Sequence, residues 1–467
     1  MSLGVIIFLV FFLLLALTRL DLALFFIIAS LPTYLIRFSV FGLPATLLEA
    51  MILITFAVWF INRFLPYFKN LLQKKVTRIP YPFAWEIMAL IIISFISVGI
   101  AGFSNSALGV FKAYFFEPII LFILTINIYK EKKDWTRITW ALLISVLTIT
   151  LLAIYQKISG QFIFNEFWAN EATRRVVSWF GYPNAIGLYL APLLLVFLGW
   201  FFYLPYRTTL HKSLQKLLII FTIVVSLLAI YFARSEGALI GLVIGLLVFG
   251  LLSGRKQRIA TIIIALIVTS GIFLSPPAKD LLINKLTLND LSGQIRKQQW
   301  KETFLALQGV KIITGAGLNN YQKTIKPIHQ EGIFFNSDNL PNFDSQVYGS
   351  STLRVKYWQP VEIYLYPHNI FLNFWSELGL FGALIFIWII LKYLYMALTL
   401  IVTYGREKKS EKYLAIGLFS AMVVIVVHGL VDVPYFKNDL SAMFWILLSF
   451  LSLLYLQAKY GDKKISN

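Results

Sequence analysis

Several polar groups stand where a largely apolar chain has least reason to keep them. Charge near hydrocarbon is costly, so such residues are candidates for function. The stretch "YPHNIFLNFWSELGLFG" opens with His368 and Asn369 directly after Pro367. Proline stops a helix arriving from above but is tolerated in a first turn, which predicts His368 at or beside a helix N-terminus. The helix dipole disfavours an imidazolium there, leaving a neutral imidazole fit to act as a base. At about 100° per residue, Gly379 falls roughly 20° from His368, three turns on. Gly379 and Gly382, on adjacent turns, would let a neighbouring helix pack closely beneath the histidine. Glu377 lands on roughly the opposite face and reads as a buried acid bonded to a neighbouring helix.

The remaining groups are mostly arginines. In "YFARSEGALIGLVIG", Arg234 closes one apolar run and Glu236 begins the next. A guanidinium offers a permanent charge and a planar fork of donors that suits phosphate. The plainer reading is a side chain reaching for the interface or pairing with Glu236. "LSGQIRKQQW" holds Arg296 and Lys297, as phosphate contacts or as a solvated basic face. Arg174 and Arg175 precede a helix entered through Gly181, Pro183 and Asn184. In "VVHGLVDVPYFKND", His428 and Asp432 are four apart, supporting the same pocket or making a structural hydrogen bond. As a set, arginines and histidines suit binding a diphosphate and moving a proton. No metal-ligand spacing, nucleotide loop or paired-carboxylate motif is apparent. The absence of cysteine excludes disulfides and thiolate chemistry.

These residues must be positioned by membrane helices. The chain is 59% hydrophobic and 13% charged over 467 residues, against about 25% charged in soluble domains. Apolar runs recur at the length a helix needs to cross a bilayer, over 3–17, 20–36, 44–62, 84–102, 110–128, 138–156, 183–203, 217–233, 237–253, 260–275, 369–395, 413–431 and 440–456. The expected fold is all-α and polytopic, with 12 or 13 crossings, one of the first two runs being a possible re-entrant or interfacial segment. The first run lacks the features of a cleaved signal and reads as a retained helix. The net charge of +19 is not a nucleic-acid signature, because the basic residues cluster between the runs. Six places (62–78, 130–137, 206–216, 254–258, 405–412 and the tail from Lys459) hold 22 Lys or Arg against 5 Asp or Glu. That bias assigns them to the cytoplasm. The segment 276–367 then lies outside, with ten basic and seven acidic residues. It carries an amphipathic stretch over 295–307 and an aromatic-rich part suited to a ligand or to an ordinary loop. The chain divides into helices over 1–275, the outer segment 276–367 and helices over 368–467.

With its His-Asn, nine residues, Gly379, two residues and Gly382, the opening stretch resembles the bacterial O-antigen ligase and O-antigen polymerase superfamily of membrane glycosyltransferases. "SWFGYPNAIGLYLAPLL", "ARSEGALIGLVIG", "QIRKQQWKETFLAL" with "GAGLNNY", and "HGLVDVPYFKNDLSAMFW" follow the same order over about 180–456. "RSEG" departs from the commoner Ser-Arg-Gly order at that helix start. The resemblance implies a polyprenyl-diphosphate-linked glycan as donor, a lipid, glycan or protein hydroxyl as acceptor, and metal-independent, inverting transfer without a cofactor at the outer face of the cytoplasmic membrane. It implies that Arg234 and Arg296 hold the diphosphate, and that His368 positions or deprotonates the acceptor or assists the donor phosphate. Asn369, Arg174, Arg175, Lys297, His428 and Asp432 are the further candidates for substrate contact. Ligase and polymerase share this chemistry and differ in acceptor. A lipid-linked glycan transporter, using Glu49, Glu117 and Glu377 as a polar path, and a non-catalytic scaffold are the competing classes.

Overall fold

The computed structural model describes residues 2–40, 42–72, 81–205, 210–407 and 409–461. Residues 73–78, 206–209, Lys408 and the tail from 462, parts of the basic clusters, lie outside the described residues. The chain is helical almost throughout, an all-α polytopic membrane protein. Nine helices among the described residues are long and apolar enough to cross a membrane, and four apolar helices are shorter. Each expected run falls on one of them.

The second run is broken. Its helix, Leu20–Ala29, has ten residues and rises about 15 Å, half a hydrocarbon core. A 3₁₀ turn at Leu31–Leu35 continues it. Phe8 and Phe12 of helix Leu3–Thr18 meet Phe26 with ring centres 5.9 and 6.1 Å apart, so the first two helices form an antiparallel pair. At their junction Asp21 pairs with Arg19 at 2.9 Å and with Arg137 at 3.3 Å. This turn therefore sits at the same end of the bundle as the basic segment 130–137.

Helices Asn184–Tyr203, Glu411–Gly429 and Asn438–Tyr460 form the centre. The first two cross at Gly199 and Gly417, where a Cβ on Gly199 would come 2.5 Å from the Tyr413 carbonyl oxygen. Small residues let the two backbones approach this closely, which is how helices associate without a hydrophobic driving force. Asn438–Tyr460 is 94% buried over its apolar window, whereas Arg255–Leu274 is 0% buried and lies at the periphery.

The segment 276–367 is ordered. It contains helix Leu291–Ala306, capped by Asp290 accepting from the Gly293 amide, and a small antiparallel sheet of Gly332–Phe334 with Trp358–Pro360. Buried Glu302 accepts from the Gln330 amide and from His329 Nδ1 at 3.1 Å, tying the long helix to the chain beyond it.

Candidate functional site

Two residues, Arg234 and Ser235, join helices Leu210–Ala233 and Glu236–Leu252. The turn is so tight that Arg234 takes a φ of 52°, left-handed backbone that a non-glycine side chain adopts at a cost of about 1–3 kcal/mol. Arg175 holds the turn. Its Nε donates to the Ala233 carbonyl at 3.0 Å, and its Nη2 to the Arg234 carbonyl at 3.4 Å and Asn184 Oδ1 at 3.2 Å. Asn184 in turn donates to Asp432 Oδ2 at 3.4 Å. From the segment 276–367, Arg296 donates through Nε to the Val431 carbonyl at 2.9 Å and through Nη1 to Ser292 Oγ at 2.6 Å.

These elements enclose a cavity of about 470 Å³ whose lining includes Arg175, Arg234, Arg296, His428 and Asp432. Arg175 and Arg296 spend donors on backbone carbonyls. The Arg234 guanidinium is exposed and makes no hydrogen bond or ion pair among the described residues. It does not pair with Glu236, which pairs instead with Lys285 at 2.7 Å, and Lys285 also reaches Asp290 at 2.8 Å. Burial, and then the charge of Arg234, lower the Arg175 pKa. The cavity thus holds more positive charge than its own carboxylates neutralise, an arrangement that favours an anion.

His368 stands next to this cavity without lining it. It too has a left-handed φ, 46°, and it precedes helix Ile370–Arg406 rather than forming part of it. Trp300 Nε1 donates to the Pro367 carbonyl at 2.9 Å. Tyr364 and Tyr366 meet the imidazole edge to face, centroids 4.9 and 5.3 Å away. Nδ1 lies 3.0 Å from Oε1 of buried Gln299. With its amide oxygen facing the ring, Gln299 accepts from Nδ1–H, which in the neutral imidazole leaves Nε2 its lone pair. Burial holds the imidazole below its ordinary pKa, Asp432 opposing and Arg296 adding to the shift. The sequence reading passes over Gln299. Its signal was one helical turn of spacing, Arg296 and Gln299 sharing a face at i, i+3.

Asn369 is the N-cap of helix Ile370–Arg406. Its Oδ1 accepts from the Phe371 and Leu372 amides at 3.0 Å each, and its Nδ2 donates to the Leu430 carbonyl at 3.1 Å. This amide fixes where the helix starts and ties it to the loop bearing Asp432.

The expected seam beneath the histidine takes a different form. Gly379 has φ 76° and ψ −176°, which breaks the helix in two, so a uniform 100° count from His368 does not hold. Two helices and a loop close on it: Ser97 Oγ of helix Ala84–Ile100 donates to the Glu377 carbonyl at 2.6 Å, and a Cβ on Gly379 would stand 2.0 Å from the Ile313 carbonyl oxygen of the short helix Lys311–Thr314. The loop following Lys311–Thr314 enters the break: the Ala316 amide donates to the Ser376 carbonyl at 2.7 Å, and the Asn319 amide donates to Glu377 Oε2. Glu377 is a buried acid as expected, but its partner is this loop. Gly382 faces its own helix across the kink, its Cβ position 2.2 Å from Leu378 Cβ.

Arg174 and Lys297 lie outside the cavity lining. Arg174 donates to the Ala169 and Lys157 carbonyls at 3.3 and 3.0 Å, and Lys297 to Asn289 Oδ1 at 3.1 Å. Arg175→Ala is expected to weaken substrate turnover about tenfold or more, because it releases the Arg234 turn and leaves carbonyls unpaired. Arg174→Ala is expected to leave turnover within about twofold and to lower only thermal stability, by about 1 kcal/mol. Parallel activity and melting measurements on the two variants check this. Among the described residues no group of three His, Asp or Glu could hold a metal ion.

The sequence model of the O-antigen ligase family matches residues 221–387. The match takes in Arg234, Arg296, Gln299, His368 and Gly379, and stops short of His428 and Asp432. The resemblance to the O-antigen ligase and polymerase superfamily is thereby shown, and with it a ligase- or polymerase-type function in polysaccharide biosynthesis. No curated protein matches the chain.

Proposed function

We propose that this multi-pass membrane protein, of O-antigen ligase type over residues 221–387, transfers a glycan from a polyprenyl diphosphate to an acceptor hydroxyl at the outer face of the cytoplasmic membrane. The observation that carries the reading is one cavity holding Arg175, Arg234 and Arg296, with a neutral histidine beside it. The orientation rests on charge. The cavity opens at the helix ends opposite the basic clusters, where the positive-inside bias puts the cytoplasm.

In this reaction the acceptor oxygen attacks the anomeric carbon. The bond from that carbon to the phosphate oxygen breaks, and the diphosphate leaves with the bonding electrons. The hydroxyl proton passes to His368 Nε2. Direct displacement inverts the anomeric centre. Arg234, with its fork uncommitted, binds the diphosphate, and Arg296 adds charge against the growing negative charge of the leaving group. Asp432, hydrogen-bonded to Asn184, keeps the Arg175 and Arg296 sides in register. Permanent guanidinium charge takes the part that a cation would otherwise play, so no cofactor enters the proposal. Transport through a polar path is disfavoured by two of the three acids it would use: Glu49 pairs with Lys112 at 2.7 Å and Glu377 binds a loop amide.

The test is purified protein in nanodiscs, given a polyprenyl-diphosphate oligosaccharide and candidate acceptors. A covalent product is expected, and Arg234→Ala is expected to cut its formation about 10²–10³-fold, as loss of one stabilising donor does elsewhere. Unchanged transfer by that variant would remove Arg234 from the mechanism. Movement of lipid across the bilayer with no product would sink the transfer reading.

A further inference from the structure

We infer that the N-terminal helices build a second site, which binds a neutral sugar residue of a glycan. A cavity of about 340 Å³ lies among the hairpin Arg37–Val40 and Leu43–Thr46, the start of helix Leu47–Trp59, the helix around Gly109 to Tyr114, and Asn438. All of its lining lies outside the family match at 221–387.

The chemistry of the wall selects the ligand class. Tyr34 and Tyr114 line it, and an aromatic ring face attracts the weakly positive C–H edges of a sugar. Lys112 and Glu49, paired at 2.7 Å, put a donor and an acceptor on the same wall, and Asn438 adds an amide with both. The Arg37 guanidinium is exposed and makes no hydrogen bond or ion pair among the described residues. The Tyr34 hydroxyl is buried without a hydrogen-bond partner, a state that folded proteins seldom leave unexplained. A phosphate or carboxylate would find Arg37 as the one uncommitted lining cation among the described residues. Lys112 is already committed to Glu49, and Asp439, buried close to Tyr34 and Tyr114, is paired with Lys437 at 3.8 Å. Mixed donors and acceptors suit hydroxyl groups, which both give and take hydrogen bonds.

A row of packed aromatic residues runs from Tyr34, on the second cavity, to His368, beside the first. The Lys437 ammonium sits 5.6 Å from the Tyr34 ring centre, 3.8 Å from that of Phe180 and 5.3 Å from that of Tyr182. Tyr182 stands beside Tyr366, whose ring lies 5.3 Å from that of His368. The row puts Tyr34 and His368 in one stretch of packed side chains, with Phe180 and the Lys437 ammonium buried between them. We therefore assign the site to the acceptor. That role rests on the glycosyl-transfer reading; sugar binding itself does not.

Gly109 provides the test. It lines the cavity, and a Cβ added to it meets nothing within 4 Å, so Gly109→Trp fills the space without a backbone clash. Arg37→Ala, at an exposed position, is the second variant. Purified protein in nanodiscs is mixed with glucose, galactose, mannose, rhamnose or N-acetylglucosamine, with inorganic phosphate as the contrasting probe, and bound ligand is detected by saturation-transfer NMR. At least one sugar is expected to show contact with the wild type and with Arg234→Ala, to lose it in Gly109→Trp and to weaken in Arg37→Ala. No sugar signal, a signal indifferent to Gly109→Trp, or phosphate binding in preference overturns the site. In the transfer assay Gly109→Trp is expected to raise the acceptor KM about tenfold with the donor KM unchanged. An unchanged acceptor KM overturns the acceptor role. Sugar binding lost in Gly109→Trp, with no transfer by the wild type, would leave the site standing and sink the transfer reading instead.

Discussion

His368→Asn is expected to lower glycan transfer about 10²–10⁴-fold at neutral pH, the range seen when a general base is lost, with donor affinity little changed. Asparagine is chosen because it tolerates the left-handed φ of 46° at this position better than most residues do. It also keeps a hydrogen-bonding side chain while losing the ability to take a proton. Should His368 only orient the acceptor, this variant would retain much of the rate, which a steady-state assay separates from the larger loss. The pH profile gives a second reading of the same residue. Burial lowers the imidazole pKa from its ordinary 6.5, so the base form persists below that pH. Activity should therefore stay level from neutral pH down through 6.5 and fall only in more acid solution. The stability sign agrees: a histidine with a depressed pKa in the folded state favours the fold above its unfolded pKa, and that advantage is lost as the pH falls. Gln299→Glu places a carboxylate against Nδ1 and favours the imidazolium, so the acid limb should move to higher pH. An acid limb that stays in place would detach Gln299 from the histidine's function.

The membrane spans were legible because hydropathy over a bilayer-length window leaves little freedom, and all thirteen runs recur as helices. Arg234, Arg296, His428 and Asp432 were legible because charge is rare in such a chain and marks itself. Neutral supports were not. Gln299 carries no charge, and its meaning arises only when Trp300 and Gln299 meet Pro367 and His368 from a segment 67 to 69 residues away. Asn369 looked like a ligand because it follows the histidine, yet helix capping takes its oxygen. Arg174 and Arg175 are adjacent and cannot be told apart by composition. Chain direction turns one to the cavity and the other to the Lys157 carbonyl. The seam at Gly379 was half legible: two glycines announced a close approach, but a straight helical count cannot foresee a break made by one of them.

Gly379→Val is expected to be the most damaging glycine substitution in the chain. Gly379, with φ 76° and ψ −176°, and Gly315, with φ 70° and ψ −169°, both occupy backbone that is essentially reserved for glycine. They face one another. A Cβ on Gly379 would stand 2.0 Å from the Ile313 carbonyl oxygen, and one on Gly315 would stand 2.6 Å from the Gly379 amide nitrogen. Because the obstacle in both cases is backbone, no rotamer change relieves it. Strain alone costs about 1–3 kcal/mol, and forcing the loop out of the break also strips Glu377 and the Ser376 carbonyl of their amide donors, each worth about 1–3 kcal/mol when left buried. The loop leads from helix Leu291–Ala306, which carries Arg296 and Gln299, so undocking it should loosen both candidate residues together. The expected results are loss of transfer, a lower melting temperature and faster proteolysis within 307–330. Gly271→Ala supplies the opposite sign: its Cβ position is open and alanine is the better helix former by about 1 kcal/mol. Wild-type protease resistance in Gly379→Val would show that the outer segment is held by other contacts, and that the break in the helix does not anchor it.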